Sequence, residues 1–249
     1  MTGAEQAARD EAERARDETE RARDEHRAWL RGPESYLAAV ARHELRVGET
    51  VHLHGHVIDA LPDGFRVDGE TLGPRTIDAG RYRLRLSHQN APAVVVLDAD
   101  APKADLTPAW FPYDPAFRYV LALELDPLDL EIASTRAHDR EATRAGWFRF
   151  GVRGVDCRLA ALRLREPGAS PDVLHLYFSD ATSGHESYRM RYIDVQPEDD
   201  GRYVVDFNDA YNPACVFSPH YNCPIPPPQN RLVVAIPAGE RLPVVQRQA

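Results

Sequence analysis

The chain has 249 residues, of which 28% are charged and 43% are hydrophobic, and its formal net charge is −9 at pH 7. No apolar run reaches the roughly 18 residues that a membrane-spanning helix needs, and the first residues lack the apolar core of a secretory signal. An acidic balance without a basic cluster argues against nucleic acid and membranes as partners. Three cysteines are too few for a disulfide scaffold. We therefore expect a soluble, cytoplasmic, globular protein.

The N-terminal arm, residues 1–32, differs in composition from the rest of the chain. The tetrapeptide Ala-Arg-Asp-Glu begins at Ala8, Ala15 and Ala22, a spacing of seven residues. Many opposite charges lie four residues apart, and each such pair stabilises a helix by about 0.2–0.5 kcal/mol. Alanine, glutamate and arginine also have high helix propensity. The pattern predicts a charged α-helix from Ala4 to Leu30.

The same spacing of seven residues is typical of coiled coils. The core of such a coil would consist of two sets of residues, Ala8, Ala15, Ala22 and Trp29 together with Ala12, Thr19 and His26. These side chains are mostly too small or too polar to bury much area between helices. We therefore expect a solvated single helix and no oligomer formed through it.

After the arm, the hydrophobic pattern changes to the period of two that is typical of β-strands. Arg81–Leu86, for example, alternates charged and apolar residues. Glycine, proline and aspartate turns separate the runs. The predicted strands are Val51–Ile58, Arg81–Leu86, Ala93–Leu97, Tyr119–Leu125, Leu130–Thr135, Trp147–Val152, Cys157–Leu164, Leu174–Phe178, Tyr188–Val195, Tyr203–Phe207 and Leu232–Ile236.

Many short strands at close spacing predict a mainly β protein, with an antiparallel sandwich or barrel-like body behind the N-terminal helix. We expect a smaller β unit over residues 33–100 and a larger one over 101–249, with a boundary at Asp98–Pro102. One continuous domain is the alternative.

The segment Asn208–Asn230 lacks any regular period, although it lies between two predicted strands. Loops of this length inside a compact domain are usually functional or disordered. Aromatic residues and two cysteines favour burial over disorder, and the prolines stiffen the path. We therefore expect this loop to present a binding surface.

Several motifs around this loop occur in a recognisable order. They are Phe178–Tyr188, Arg191-Tyr192, Asp206–Cys215, Asn222–Pro227, Asn230-Arg231-Leu232 and Ala238-Gly239-Glu240. Together they resemble the bacterial family DUF1684, a domain of unknown function, most strongly over residues 172–242 and less so back to Trp110–Asp114. The tryptophan-rich opening usual in that family is not found, and His220 departs from its pattern. The resemblance implies no particular activity.

A metal site is one hypothesis for the loop. Cys215, His220 and Cys223 place two thiols and an imidazole within nine residues, and zinc or copper accepts such ligands. A neighbouring carboxylate or His185 would complete the set. The spacing matches none of the structural zinc motifs, whose paired ligands lie two to four residues apart.

The two cysteines also allow other interpretations. A disulfide between Cys215 and Cys223 would stabilise the fold by about 2.5 kcal/mol, but a cytoplasmic chain is expected to keep its thiols reduced. A thiolate could instead be a nucleophile, activated by His220 or His185 and oriented by Asp206. Otherwise both cysteines are small hydrophobic residues packed beneath the loop.

Polar residues gather on the strand ends and turns beside the loop. The candidate catalytic residues are Asp180, Glu186, Arg191, Asp206, Asn208, Asn212 and Cys215. Carboxylates with an arginine can perform acid–base chemistry or bind a small polar ligand. Equally, aspartate and asparagine cap turns, and Arg191 could pair with Asp206 inside the fold.

These patterns favour an enzyme or small-molecule-handling protein whose pocket is built from residues 180–191 and 206–230. Its ligand would be a small molecule, with a metal or thiol dependence if the cysteines take part. The alternative is a non-catalytic interaction module, in which the proline-rich loop is structural or docks a protein partner.

The sequence His52-Leu53-His54-Gly55-His56 falls in the predicted strand Val51–Ile58. Alternation along a strand would place all three imidazoles on one face. His52 and His56 would then lie about 13 Å apart at roughly 3.3 Å per residue, too far to share a metal with bonds of about 2.1 Å. We expect a solvated strand face here.

Overall fold

The computed structural model describes residues 3–89, 91–136 and 138–245. One long helix, α1 (Gly3–Trp29), precedes a body made of antiparallel strands, as the sequence predicts. Among the described residues, no helix has both the length and the apolar character needed to cross a membrane. The sheets remain open, and none of them closes into a barrel over the described ranges.

Among the described residues before position 100, eight strands form two four-stranded sheets. The strands are β1 (Ala39–Glu44), β2 (Thr50–Leu53), β3 (His56–Leu61), β4 (Gly64–Val67), β5 (Glu70–Leu72), β6 (Arg75–Ala79), β7 (Tyr82–His88) and β8 (Pro92–Asp98). One sheet has the order β1-β8-β7-β6, and the other is the meander β2-β3-β4-β5. Both contribute to a shared core that includes Ile58, Phe65, Leu84 and Val96.

Strand β8 is buried along its whole length because it packs on both faces. Val94 and Val96 point into the core of the first two sheets. Val95 and Leu97 point the other way, into a small cluster that contains Tyr221 from the proline-rich loop. The continuous apolar run of β8 is thus explained by burial on both faces, and it connects the two halves of the chain.

Nine further strands follow in the described part of the chain after residue 100. They are β9 (Leu106–Thr107), β10 (Arg118–Leu121), β11 (Glu124–Ile132), β12 (Arg140–Val152), β13 (Val155–Leu164), β14 (Leu174–Phe178), β15 (Arg191–Val195), β16 (Tyr203–Asp206) and β17 (Val244–Val245). Strands β11 to β15 form a five-stranded sheet in chain order, while β10 pairs with β16 and β9 with β17.

The five-stranded sheet carries a core on each face. Phe148, Leu159 and Leu176 pack with Phe207 on one side. On the other side, Trp147 and neighbouring residues pack beneath the proline-rich loop. That loop contains short 3-10 turns, at Phe207–Asp209, Ala214–Val216 and Pro228–Asn230. The loop therefore covers one face of the sheet.

Several predicted strands differ from the structure. Tyr119–Leu125 covers the end of β10 and the start of β11, which lie in different sheets, and Leu130–Thr135 overlaps only the last three residues of β11. Val51–Ile58 is a hairpin, in which His54 and Gly55 form the turn with φ of 49° and 90°, values that suit a tight hairpin turn. His54 and His56 therefore do not share a strand face with His52. Leu232–Ile236 is irregular, although Leu232 donates its amide to the carbonyl of Ser179. The division at residue 100 stays a prediction.

Candidate functional site

One face of α1 lies against the second half of the chain, so the expectation of a solvated helix is wrong for this face. Thr19 is 4% exposed, and its hydroxyl donates a 2.8 Å hydrogen bond to Asp209 Oδ1. One turn later, Arg23 Nη2 donates to the carbonyl of Asn208 at 3.2 Å. His26 follows at the spacing that aligns side chains on one helix face. The helix thus docks mainly through polar contacts.

A cavity of about 410 Å³ lies between α1 and the segment 207–211, a size typical of pockets that hold small organic ligands. Its aromatic residues are Trp29, Tyr36, Trp110 and Tyr211. Its ionisable residues are Arg23, His26, Asp209 and Glu240. Aromatic walls with a few convergent polar groups are the usual composition of a ligand site.

Arg191 on β15 holds the backbone of the segment that carries Glu240. Its side chain is completely buried and pairs with Asp180. Its guanidinium also donates to three backbone carbonyls of one segment, those of Ile236 (2.9 Å), Ala238 and Glu240 (3.4 Å). One buried cation therefore gathers the segment 236–240 and fixes the position of Glu240. Arg191 pairs with Asp180 and not with Asp206, contrary to the pairing suggested by the sequence.

Gly239 lets the same segment approach the 207–210 turn closely. Its φ is +75°, in the left-handed region that glycine adopts readily. A Cβ at this position would lie 2.6 Å from the carbonyl oxygens of both Phe207 and Ala210. The amide of Glu240 then donates to the carbonyl of Ala210 at 2.7 Å. Glycine is required here for both conformation and space.

Glu240 holds its carboxylate at the cavity wall while only 1% of the residue is exposed. Its Oε2 accepts a 2.8 Å hydrogen bond from the amide of Asn212. Its Oε1 lies 3.2 Å from His26 Nε2. The ring of His26 packs against Trp29 and Trp110, with centroids 5.8 and 6.3 Å away. A buried carboxylate and an imidazole thus meet between aromatic rings.

Arg23 has a buried donor without a partner in the described part of the chain, since its Nε makes no hydrogen bond there. His26 Nε2 makes no hydrogen bond either, but it faces Glu240 Oε1 at 3.2 Å. Burial also lowers the pKa of Arg23. Buried polar atoms are usually satisfied, and an acceptor supplied by a bound molecule would satisfy Arg23 Nε.

The cavity also contains a group suited to proton transfer. The imidazole of His26 faces the fixed carboxylate of Glu240. A positioned imidazole beside a carboxylate is a common general acid–base arrangement.

Asp206 lies below the helix, next to the cavity. Its Oδ1 accepts 2.8 Å hydrogen bonds from the amide and the side-chain Nδ2 of Asn208, and its Oδ2 lies 3.7 Å from Arg118 Nε. Burial, followed by the charge of Asp209, raises the pKa of Asp206 to about 6. The ionised carboxylate is therefore less favourable in the folded protein than in water.

This raised pKa gives a pH-dependent prediction for Asp206→Asn. The pKa of the Asp206 carboxyl group is higher in the folded protein, about 6, than in the unfolded chain, about 3.9. The folded state therefore binds this proton more tightly, and the resulting stabilisation is full below the unfolded pKa and is lost as the pH rises through about 6. Asparagine keeps the Oδ1 acceptor but carries no charge. We expect D206N to be more stable than wild type at pH 7 by about 1–2 kcal/mol, with little difference at pH 4. Urea unfolding at both pH values measures this.

Asp200→Asn is the matched control. Its carboxylate is exposed, and hydrogen bonds from the backbone and side chain of Arg202 lower its pKa. Removing this charge should therefore change stability at neutral pH in the opposite direction, if at all. If the free energy of unfolding changed equally with pH for wild type and D206N between pH 4 and 6, the raised pKa of Asp206 would be contradicted.

Most of the site residues predicted from the sequence do not line the cavity, and several of them hold the neighbouring backbone through hydrogen bonds. Asn208 is the exception, since it borders the cavity, while its side chain also holds the backbone of Asp114. Asn212 donates its side-chain Nδ2 to the carbonyl of Arg241. Glu186 is exposed, and its carbonyl accepts the amide of Leu242. Asp180, Arg191 and Asp206 support the neighbouring backbone, as described above.

The proposed metal ligands do not assemble. Among the described residues, no group of three or more histidine, cysteine or acidic side chains is placed to hold a metal ion. His220 lies near two guanidinium groups, and burial and the charges of Arg136 and Arg42 lower its pKa. Two nearby positive charges oppose a metal cation. A zinc or copper site at Cys215, His220 and Cys223 is therefore not supported.

The thiol–imidazole hypothesis is not supported either. The backbone amide of Cys215 donates to Cys223 Sγ at 3.3 Å. His185 is exposed, and Asp206 lies under the helix instead of beside the thiols. The three cysteines are free thiols.

Several cavity residues were missed from the sequence. They are Arg23, His26, Trp29, Tyr36, Trp110, Tyr211 and Glu240. Two signals could have found some of them. The first is the row Ala12, Thr19 and His26, which lies on one face of the helix and contacts the body of this chain instead of a second helix. The second is Glu240, which is the last residue of the motif Ala238-Gly239-Glu240.

Comparisons with known proteins agree with the sequence motifs. Residues 107–241 match the model of the family described as "Protein of unknown function (DUF1684)". A solution NMR structure of an uncharacterized protein from Haloarcula marismortui is 28% identical, covers 54% of this chain and 76% of that chain, and gives a TM-score of 0.42. No curated protein matches. Since the family match spans more than half of the chain, the protein belongs to the DUF1684 family.

Proposed function

We propose that this protein binds a planar aromatic carboxylate in the cavity between α1 and the segment 207–211. The observation that carries the proposal is Arg23 Nε, a buried donor at the wall of the cavity that lacks an acceptor in the described residues. A buried donor left unpaired costs about 1–3 kcal/mol. A ligand oxygen that accepts from Arg23 would recover this energy.

A carboxylate fits Arg23 because its oxygens can accept from the N–H groups of one guanidinium. Hydrogen bonds between an arginine and a carboxylate are charge-assisted and stronger than neutral ones. The two acidic groups of the cavity are already engaged. Asp209 accepts the hydroxyl of Thr19, and Glu240 accepts the amide of Asn212 and faces His26.

The aromatic part of the ligand is inferred from the wall. Trp29 and Tyr36 meet edge to face with centroids 4.7 Å apart, and Arg27 covers Trp110 at 5.0 Å from its ring centroid. Flat rings favour offset-stacked or edge-to-face contacts with other rings. A ligand with one or two fused rings would fill such a cavity while its carboxylate meets Arg23.

Isothermal titration calorimetry with benzoate, 2-naphthoate and indole-3-acetate tests the proposal. We expect at least one of these probes to bind, and its neutral alcohol analogue to bind at least tenfold more weakly. Replacing Arg23 with methionine should weaken binding of the carboxylate at least tenfold, which corresponds to about 1.4 kcal/mol. The affinity for the alcohol should change little.

Arg16→Gln is the matched control on the same helix. Arg16 is exposed and pairs with Glu20, away from the cavity, so this variant should bind like wild type. Failure of all three carboxylates to bind would reject the proposed ligand class. In that case the alternative, a non-catalytic interaction module, becomes the better description of this chain.

A further inference from the structure

The two cysteines of the proline-rich loop are in contact. The amide of Cys215 donates to Cys223 Sγ at 3.3 Å, which brings the two cysteine residues into contact. Cys215 lies in the turn Ala214–Val216, and Thr135 Oγ1 accepts the amide of Cys223 at 3.0 Å. The fold therefore holds two free thiols in neighbouring residues of the structure, eight positions apart in the chain.

The two thiols have different surroundings. Cys215 is partly exposed, whereas Cys223 is only 4% exposed. The hydrogen bond from Cys223 lowers the pKa of Cys215 to about 7, with further help from Tyr188 and the charge of Arg189. Contact with Cys215 and burial raise the pKa of Cys223. Cys215 is thus the accessible thiol with thiolate character, which is the reactive form.

We propose that Cys215 and Cys223 are a reversible redox pair, with Cys215 as the thiol that attacks a hydroperoxide and Cys223 as the thiol that resolves the product. This inference stands independently of the proposed ligand, because it rests on the thiol contact alone.

The proposed chemistry proceeds in two steps. The sulfur of Cys215 attacks the terminal oxygen of the hydroperoxide, the O–O bond breaks, and water or an alcohol leaves. Cys215 is oxidised to the sulfenic acid and the peroxide is reduced. The sulfur of Cys223 then attacks this sulfur, and the hydroxyl leaves as water with the proton of Cys223. The product is a disulfide, which an external dithiol returns to two thiols by exchange.

A disulfide here would fix one wall of the α1 cavity. Phe217 follows the Cys215 turn and packs against both His26 and Tyr36, with centroids 6.2 Å from each. A covalent bond between Cys215 and Cys223 would restrain the short segment that carries Phe217. Oxidation should therefore make residues 214–223 more resistant to hydrogen exchange.

Cys157 supplies an internal control for the test. It lies on β13, where its thiol donates to the carbonyl of Val155 at 3.6 Å and burial raises its pKa. Cleavage after arginine separates the thiols cleanly, since Cys157 falls in the peptide 154–158 and both loop cysteines fall in the single peptide 203–231.

The experiment treats the reduced full-length protein with one equivalent of hydrogen peroxide, followed by alkylation, trypsin digestion and mass spectrometry. We expect peptide 203–231 to lose two hydrogen atoms and to resist alkylation, while Cys157 stays alkylated. Dithiothreitol should restore both thiols. In Cys223→Ser, dimedone should trap a sulfenic acid on Cys215. In Cys215→Ser, Cys223 should react no faster than Cys157.

The wild-type measurement decides the outcome even if a variant fails to fold. Alkylation of Cys215 and Cys223 at the same rate before and after peroxide would overturn the proposal. Oxidation of Cys157 as rapid as that of Cys215 would also overturn it, because the contact between the two loop thiols would then confer no selectivity.

Discussion

Replacing Arg191 with methionine is expected to destabilise the protein by about 3–5 kcal/mol, the range for breaking a buried ion pair. Methionine fills similar space but leaves Asp180 buried without its counter-charge. It also removes the donor to the carbonyls of Ile236, Ala238 and Glu240. Urea unfolding followed by circular dichroism measures the loss. A loss of this size removes a large share of a typical domain's stability.

Two further variants distinguish the buried pair from a general effect of losing an arginine. Arg189 is an exposed residue two positions earlier, so Arg189→Met should cost less than about 0.5 kcal/mol. Combining Arg191→Met with Asp180→Asn removes the stranded carboxylate and should recover part of the loss, since asparagine still accepts the amide of Thr182. R191M as stable as R189M would disprove the role assigned to this pair.

The regular strands could be predicted because their apolar residues in the sequence are the residues that are buried in the structure. In Arg81–Leu86 the apolar residues alternate with arginines, and in β7 Leu84 and Leu86 are buried while the intervening arginine is not. Strands β12 to β14 were found for the same reason. Hydrophobic periodicity is a property of one segment of the sequence, so a strand can be predicted from it without knowing which strand pairs with it.

The hairpin at His54-Gly55 was missed because its turn lacks the usual asparagine or aspartate before the glycine. A histidine at positive φ is uncommon, and the apolar alternation of Val51, Leu53 and Val57 continues through the turn. The pattern alone therefore indicated one longer strand.

The cavity could be predicted only in part because its residues come from distant segments. Helix α1 docks through Thr19 and Arg23, which add little to any hydrophobic pattern. The choice between Asp180 and Asp206 as partner of Arg191 depends on strand register, in which Arg191 lies opposite Phe178. The sequence motifs identified both the turn at Asp180 and the segment at Asp206. They could not show which of the two carboxylates faces the guanidinium of Arg191.

The side chain of Asn230, in the motif Asn230-Arg231-Leu232, joins two strands of the five-stranded sheet that pair with each other only weakly. Among the described residues, β13 and β14 share one paired position, Leu162 with His175. The fully buried side chain of Asn230 bridges the remaining gap. Its Oδ1 accepts the amide of Ala160 at 2.7 Å, and its Nδ2 donates to the carbonyls of Ala160 and Tyr177 at 3.0 and 2.9 Å. One amide thus replaces part of a strand pairing.

Asn230→Asp is therefore expected to destabilise the protein by about 3 kcal/mol or more, since it leaves two buried carbonyls unpaired and adds a buried charge. The shape and the Oδ1 acceptor are unchanged. Asn222→Asp is the control, because Asn222 is also buried but uses its Oδ1 to accept the amide of Arg136, a contact that aspartate keeps. We expect N222D to cost clearly less in the same urea titration. If the two variants were equally stable, the Nδ2 bonds of Asn230 would not be what joins β13 to β14.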